Sequence, residues 1–298
     1  MMKHQAKIYA VIVTFNPDIE SLRKNLCSIS EQVDRVVIID NSNDLVCQNR
    51  LQVMISENEN ITLIQLNENK GIAYAQNIGF VYSLKAHADF VITFDQDSSV
   101  ENGLVQSLYE EYLKVKDEND IKIACIGPSV INDRNKQEYE NYFHNSVKIN
   151  ESVYSVNFII SSGTLYETDA FVAIGLNKAE WFIDSIDIEW CYRARYLGYQ
   201  VLMTTKATMK HNLGSRDIQL PLGRLFNIGA PFRHYYVYRN WIFSLREPHF
   251  DYGYKFKLVF MMPIKFIICA AIPPRKKRIL FMLKGIRDGI LKRHSFIN

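Results

Sequence analysis

The stretch FVITFDQDSSV, residues 90–100, decides how the rest of this chain is read. An apolar β-type run, Phe90 to Phe94, ends in two carboxylates one residue apart, Asp95 and Asp97, followed by Ser98 and Ser99. Ligands of parallel α/β sheets bind beyond the carboxyl ends of the strands. Two carboxylates at such an end suit a hard divalent cation, and the cation suits a diphosphate. An Asp-x-Asp alone fits a polar turn equally well, so the surroundings must decide.

Upstream, Ile8–Thr14 is apolar at nearly every position, as a strand buried on both faces should be, and Asn16-Pro17 breaks it. Asp18 can cap a helix whose apolar face is Ile19, Leu22, Leu26 and Ile29. Val36–Ile39 and Ile61–Leu66 read as two further strands, the first ending at Asp40 and the second running into Asn69, Lys70 and Gly71. Ile72, Ala75, Ile78 and Tyr82 then recur at helical spacing. Downstream, Leu104, Leu108, Tyr112 and Val115 mark a helix, and Ile123–Ile126 a strand. The alternation predicts an open, mostly parallel α/β sheet with helices on both faces. Polar clusters follow four successive strands: Thr14 and Asn16, Asp40, Asn69 and Lys70, Asp95 and Asp97. Together they describe a nucleotide site. No Gly-x-Gly-x-x-Gly and no phosphate-loop Gly-Lys-Ser/Thr accompanies them, which argues against dehydrogenase and P-loop chemistry.

The chain has 298 residues, 48% hydrophobic and 22% charged, with a formal net charge of +3. That suits a globular protein with a real core and gives no sign of a nucleic-acid binder. The charge is uneven. Beyond Glu247 the acids are Asp251 and Asp288, against Lys255, Lys257, Lys265, Arg275, Lys276, Lys277, Arg278, Lys284, Arg287, Lys292 and Arg293. A basic tail favours anionic surfaces, membranes included. Five scattered cysteines without a Cys-x-x-Cys pair suggest neither zinc nor a disulfide framework and fit a reducing, cytoplasmic setting. The early run Ile8–Val13 is too short for a signal peptide.

Residues 128–156 are polar and irregular, a loop or small insertion. A strand is expected at Val156–Ile160, leading into Ser161-Ser162-Gly163. A short helix from Thr168 to Gly175 follows, then one entered through Trp181–Trp190 and running to about Leu197. Asp184 is the candidate cap of that helix. Phe256–Ile272 is strongly apolar but contains Pro263 and Lys265, and it falls short of the ~20 clean residues of a membrane span. It reads as an interfacial segment or as a kinked core helix.

The ordered set Val13-Thr14-Phe15-Asn16, Asp40-Asn41, Asn69-Lys70-Gly71, Asp95-Gln96-Asp97, Ser162-Gly163, Asp187-x-Glu189-Trp190-x-x-Arg193 and His211 resembles the inverting glycosyltransferases of family 2, with the GT-A fold. Trp181 to Arg193 and Lys210 to Gly214 bring the likeness nearer to bacterial rhamnosyltransferases of cell-surface polysaccharide synthesis. The resemblance covers roughly residues 7–245 and implies a transferase domain with a donor half to about residue 127 and an acceptor half from about 128 to 245. Residues 246–298 are left as a basic, apolar helical region.

The resemblance implies a dTDP-rhamnose donor, a Mn or Mg ion, and a lipid-pyrophosphate-linked glycan acceptor at the cytoplasmic membrane face, as in O-antigen synthesis. Asp95 and Asp97 would hold the metal, completed by His211. Asp40 would meet the pyrimidine, Thr14 and Asn16 the nucleoside, Asn69 and Lys70 the ribose and diphosphate. Asp187 falls at the general base, with Asp184 and Glu189 as rivals. Many family members carry two adjacent acids where this chain has Ile186-Asp187. Ser162, Gly163, Trp190 and Arg193 would line the acceptor side. A UDP-hexose donor and a non-catalytic glycan-binding scaffold are alternatives. A dehalogenase-type phosphatase, which also uses Asp-x-Asp, would place the pair on its first strand, and here it follows the fourth.

Overall fold

Four of the apolar runs become four adjacent parallel strands. The computed structural model describes residues 6–56, 58–131, 146–210, 217–219, 225–227 and 229–296. Within it β1 (Ile8–Thr14), β2 (Arg35–Asp40), β3 (Ile61–Gln65) and β4 (Phe90–Asp95) lie side by side in the order β3-β2-β1-β4. All three pairings are parallel. Alternate residues feed opposite cores, as the two-residue period of a strand requires. Ala10, Ile12, Val36, Ile38 and Ile92 face one side, where α1 (Ile19–Ser30), α2 (Leu45–Ile55) and α4 (Leu104–Glu118) pack. Tyr9, Val11, Val37, Ile39 and Val91 face the other, against α3 (Ile72–Lys85), α5 (Thr168–Ile174) and α6 (Ile186–Tyr196). Asp18 caps α1, its carboxylate accepting from the Ser21 amide at 2.8 Å.

Beyond β4 the sheet becomes mixed. β5 (Ile123–Ile131) pairs in parallel with β9 (Gln200–Lys210), while β8 (Leu165–Glu167) slots antiparallel between β4 and β5. β7 (Val153–Ser155) and β6 (Val147–Lys148) form the far edge. β10 (Asp217–Gln219) and β11 (Leu225–Asn227) make a separate pair.

The strand expected at Val156–Ile160 is not there. Val156 still donates to the Val201 carbonyl at 2.9 Å, and then the chain leaves the sheet. It does so to carry Ser161–Gly163 beside β4, where the Gly163 amide donates to the Thr93 carbonyl at 2.7 Å. A short apolar run cannot announce such a departure by its periodicity.

The C-terminal region is α7 (Arg233–Arg246), α8 (Tyr252–Ala271) and α9 (Arg275–Ile290). α9 packs on α7, tied by Tyr235 Oη to Asp288 at 3.0 Å and by Arg246 Nη1 to the Gly289 carbonyl at 2.5 Å. α8 is not a core helix. It buries Leu258 and Cys269 and leaves Phe256, Phe260 and Ile267 exposed by 67%, 60% and 71%. Among the described residues no helix is long and apolar enough to cross a membrane.

Candidate active site

Strand register sets out the site. Thr14 lies opposite Asp40, and Val13 opposite Asp95, so the ends of β2, β1 and β4 form one row. Asp40 is 0% exposed. Its Oδ1 accepts from Thr14 Oγ1 at 3.0 Å and from Ser42 Oγ at 2.5 Å, while Oδ2 is buried without a hydrogen-bond partner. A buried acceptor left unmet costs about 1–3 kcal/mol, a debt that a donor N–H would relieve. Asn16 closes over this corner, its amide donating to Ser42 Oγ at 2.7 Å and its side chain to Asn43 Oδ1 at 3.2 Å.

The next cluster is locked by Asn41. Its Nδ2 donates to Asn69 Oδ1 at 3.0 Å, and its Oδ1 accepts from the Lys70 amide at 2.8 Å. Lys70 extends outward, paired with Glu68. Gly71 follows with φ +85°, and a Cβ there would stand 2.5 Å from the Phe182 ring, so only glycine fits. That contact brings the segment before α6 up to the start of α3. The Ala73 amide reinforces it by donating to the Phe182 carbonyl at 3.2 Å.

Asp95 is held from behind. Its amide donates to Ser98 Oγ at 3.2 Å and to Ser162 Oγ at 3.1 Å, and the two hydroxyls lie 2.7 Å apart. Ser162 therefore braces the carboxylate loop from 67 residues away. Gly163 takes φ +77°, with Met209 Sδ 2.8 Å from where a Cβ would sit. Asp95 and Asp97 offer hard oxygen ligands of the kind Mg or Mn takes. Among the described residues no group of three metal-ligating side chains assembles, and His211 lies outside the described residues.

Residues 181–185 form a strained turn. Phe182 has φ 65° and ψ −65°, with the Ile183 amide donating to the Trp181 carbonyl at 2.7 Å, a γ-turn of the rare positive-φ kind. Asp184 and Ser185 also have positive φ, 69° and 62°. Non-glycine residues in such regions cost of order 1–3 kcal/mol each and gather at functional sites. Asp184 is not the helix cap. Ser185 occupies that position without a side-chain bond, and the Asp184 carboxylate goes to Arg233, Oδ1 to Nη2 at 2.5 Å and Oδ2 to Nε at 3.2 Å.

Asp187 stands in the first turn of α6, partly buried, its Oδ1 accepting from the Ile188 amide at 2.9 Å. Burial pushes its carboxyl up to about 6, and the negative charges of Asp95 and Asp184 add to the rise. Asp95 also acts on Arg233. Carboxylates from β4 and from the approach to α6, 92 residues apart in sequence at Asp95 and Asp187, thus share one electrostatic neighbourhood.

Glu189 has a different task. It is fully buried, its carboxylate bonded to Arg193 Nε and Nη2 at 2.9 Å each, with Lys178 and His249 nearby. Burial would raise its pKa, but the bonds from His249 and Arg193 outweigh that and hold it below the usual carboxylate range. Arg193 also donates to the Ile174 and Leu176 carbonyls, at 2.6 and 2.9 Å. Trp190 is 2% exposed, its indole N–H on the Gly175 carbonyl at 2.8 Å and its ring against Tyr166 and Phe171. Both Arg193 and Trp190 thus bond to carbonyls within the chain. Ionic and aromatic side chains beside a candidate base look functional in sequence, and only packing assigns them to the scaffold. Arg233 is the reverse: the sequence holds it in a mixed aromatic and basic run, and the fold brings it to Asp184.

A parallel sheet with polar strand ends along one edge, an acidic pair at the end of β4 and Asp187 within electrostatic reach of Asp95 is the arrangement expected of a GT-A-type transferase. The sequence model of glycosyl transferase family 2 matches residues 9–175. The chain is 34% identical over 296 residues to the dTDP-rhamnosyl transferase RfbF of Shigella flexneri, covering 95% of this chain and 96% of the relative. It belongs to glycosyl transferase family 2 and is a glycosyltransferase close to the rhamnosyltransferases. Solved structures share the fold. The mannosyltransferase PcManGT of Pyrobaculum calidifontis, in complex with GDP-Man and Mn2+, superposes with TM-score 0.59 at 11% identity, over 97% of this chain and 88% of its own. GalNAc-T7 with UDP, GalNAc and Mn2+ gives 0.56 at 16% identity, over 90% of this chain, which spans 58% of that one. The family match ends before Asp187, so that residue rests on the geometry of this chain.

Proposed function

We propose that the chain transfers L-rhamnose from dTDP-L-rhamnose, with inversion, to a lipid-pyrophosphate-linked glycan during surface polysaccharide synthesis. The observation that carries the chemistry is the convergence of Asp187 with the Asp95 end of the sheet. In this reading Asp187, its carboxyl raised by burial, acts as the base, and Asp95 serves the diphosphate. The donor reading rests on the likeness to RfbF along nearly the whole chain.

In this reading the pyrimidine lies over the Thr14–Asp40 corner, with its imide N–H toward Asp40 Oδ2 once the cover at Asn16 lifts. Asn69 and Lys70 flank the ribose and diphosphate. Asp95 and Asp97, with His211, would hold a divalent cation, which would supply charge neutralisation to the leaving diphosphate. The acceptor hydroxyl attacks the anomeric carbon, its proton passes to Asp187, and the bond to the nucleoside diphosphate breaks. Ser162 and Gly163 act by keeping Asp95 in place. The basic α8–α9 region, with its exposed apolar side chains, supports a peripheral seat on the inner membrane face, where a lipid-linked acceptor would be met.

A thermal-shift panel of dTDP, UDP and GDP, each with and without Mn, tests the donor class, because a ligand of the folded state raises its melting temperature. Metal-dependent stabilisation by dTDP above the others is expected. Preference for UDP or GDP would replace the rhamnosyl reading.

A further inference from the structure

The turn that delivers Asp187 does not hold itself. Phe182, Asp184 and Ser185 all sit at positive φ without being glycine, and no side chain caps α6 behind them. Three residues of α7 spaced i, i+3 and i+7, hence on one helix face, meet this turn. Arg233 takes the Asp184 carboxylate through two nitrogens. The Tyr236 ring stacks on Phe182, centroids 4.7 Å apart and 10° from parallel. Asn240, fully buried, donates from Nδ2 to the carbonyls of Trp181, Ile183 and Asp184 at 3.0, 2.9 and 2.9 Å. Its neighbour Arg239, also fully buried, donates to the carbonyls of Glu180 and Trp181 and, across the helix, to that of Ser295 at 2.9 Å.

We infer that Asn240 is a positioning residue for the transfer reaction: its amide holds the carbonyls of the 181–184 turn, and so fixes Asp187 against the Asp95 end of the sheet. A backbone that strained persists only when its surroundings over-determine it. The two hydrogens of the Nδ2 group are shared among three carbonyls of the turn, of which that of Trp181 also accepts from Arg239 Nη2 and from the Ile183 amide. An aspartate at 240 has almost the same shape but no donor, and it would set oxygen against oxygen at all three. The turn would then relax toward negative φ and rotate the start of α6. This inference rests on Asp187 as the base, but the arrangement of the turn can be measured without any substrate.

The test compares wild type, Asn240→Asp and Arg246→Gln. Arg246 lies at the other end of α7 and bonds carbonyls of Gly289 and Ile290 in α9, so it reports on damage to the helix packing alone. Two readouts are taken. The first is amide hydrogen exchange of 182–188 in the free chain, expected to accelerate about tenfold or more in Asn240→Asp and to stay near wild type in Arg246→Gln. The second is transfer from dTDP-L-rhamnose, where a misplacement of about an ångström can cost roughly 10²-fold. Asn240→Asp should lose that much kcat with donor KM within about twofold of wild type. Arg246→Gln should keep its kcat even with a lower melting temperature. Should Asn240→Asp fail to fold, Tyr236→Leu, which removes the stack on Phe182 together with the ring contacts to Arg239 and Tyr235, is expected to show the same pattern more weakly. Equal exchange in the two α7 variants, or loss of kcat in proportion to melting temperature, would overturn the inference. If wild type itself does not use dTDP-L-rhamnose, the donor reading has failed, and the exchange comparison still decides the role of Asn240.

Discussion

Replacing Asp187 with asparagine should make the enzyme slower and the protein more stable. The carboxyl rises from its ordinary 3.8 to about 6, chiefly through burial. At about 1.4 kcal/mol per pH unit, holding it ionised in the native state costs roughly 3 kcal/mol. The side chain keeps some contact with solvent, so about 1–2 kcal/mol is the working figure. The sign follows from the direction of the rise. The native chain binds this proton more tightly than the unfolded one. The advantage is whole below pH 3.8, fades as pH climbs to about 6, and is gone above it, where the ionised group is a burden. Asp187→Asn should therefore raise the melting temperature at pH 7.5 by a few degrees, at about 2–4 °C per kcal/mol for chains approaching this size. The gain should shrink toward nothing below pH 4. Turnover should fall by about 10²–10⁴-fold, because an amide cannot take the acceptor proton. Wild-type kcat/KM should climb through an apparent pKa near 6, and that limb should vanish in the variant. Calorimetry with dTDP and Mn should show little change in affinity. Near wild-type turnover in Asp187→Asn would refute the placement of the base. An unchanged melting temperature at pH 7.5 would refute the account of its environment.

Other outcomes can be stated more briefly. Asp97→Ala should fold normally and lose the Mn-dependent part of dTDP binding in calorimetry; metal-dependent binding that persists would remove Asp97 from the ligand set. Glu189→Gln should cost about 3–5 kcal/mol in chemical denaturation, since it leaves Arg193 charged and unmatched in the interior. A change within error would mean that the Glu189–Arg193 pair does not hold the cluster as drawn. Sedimentation with vesicles containing anionic phosphatidylglycerol should show binding that salt weakens, at about 1 kcal/mol per basic side chain near the surface. The pair Phe256→Ser and Phe260→Ser should lower what remains at high salt, and equal binding by that double variant would take α8 out of the contact.

The sequence by itself determined the parallel part of the sheet. β1, β2 and β4 are runs of buried, largely apolar residues and β3 a half-buried one, each followed by Pro, Asn or Asp, and a strand buried on both faces can be read from its residues alone. Their ends carry Thr14, Asp40, Asn69 and Asp95, so the parallel order implied by the alternation already set these groups along one edge. Past Gly127 local signals lose that power. The run at Val156–Ile160 is as apolar as a strand, yet β8 is the segment that joins the sheet, because Ser162 and Gly163 must reach the back of Asp95. Nothing near Asp184 reveals that its partner is Arg233, 49 residues on. Asp187, Glu189, Trp190 and Arg193 look alike as candidates in one helix. Tertiary packing separates them, tying Glu189, Trp190 and Arg193 into bonds within the scaffold and leaving Asp187 near the Asp95 carboxylate. The reason is physical: strand formation follows from the residues of the strand, whereas the pKa of an acid and the strain of a turn depend on groups that only the folded chain brings within reach.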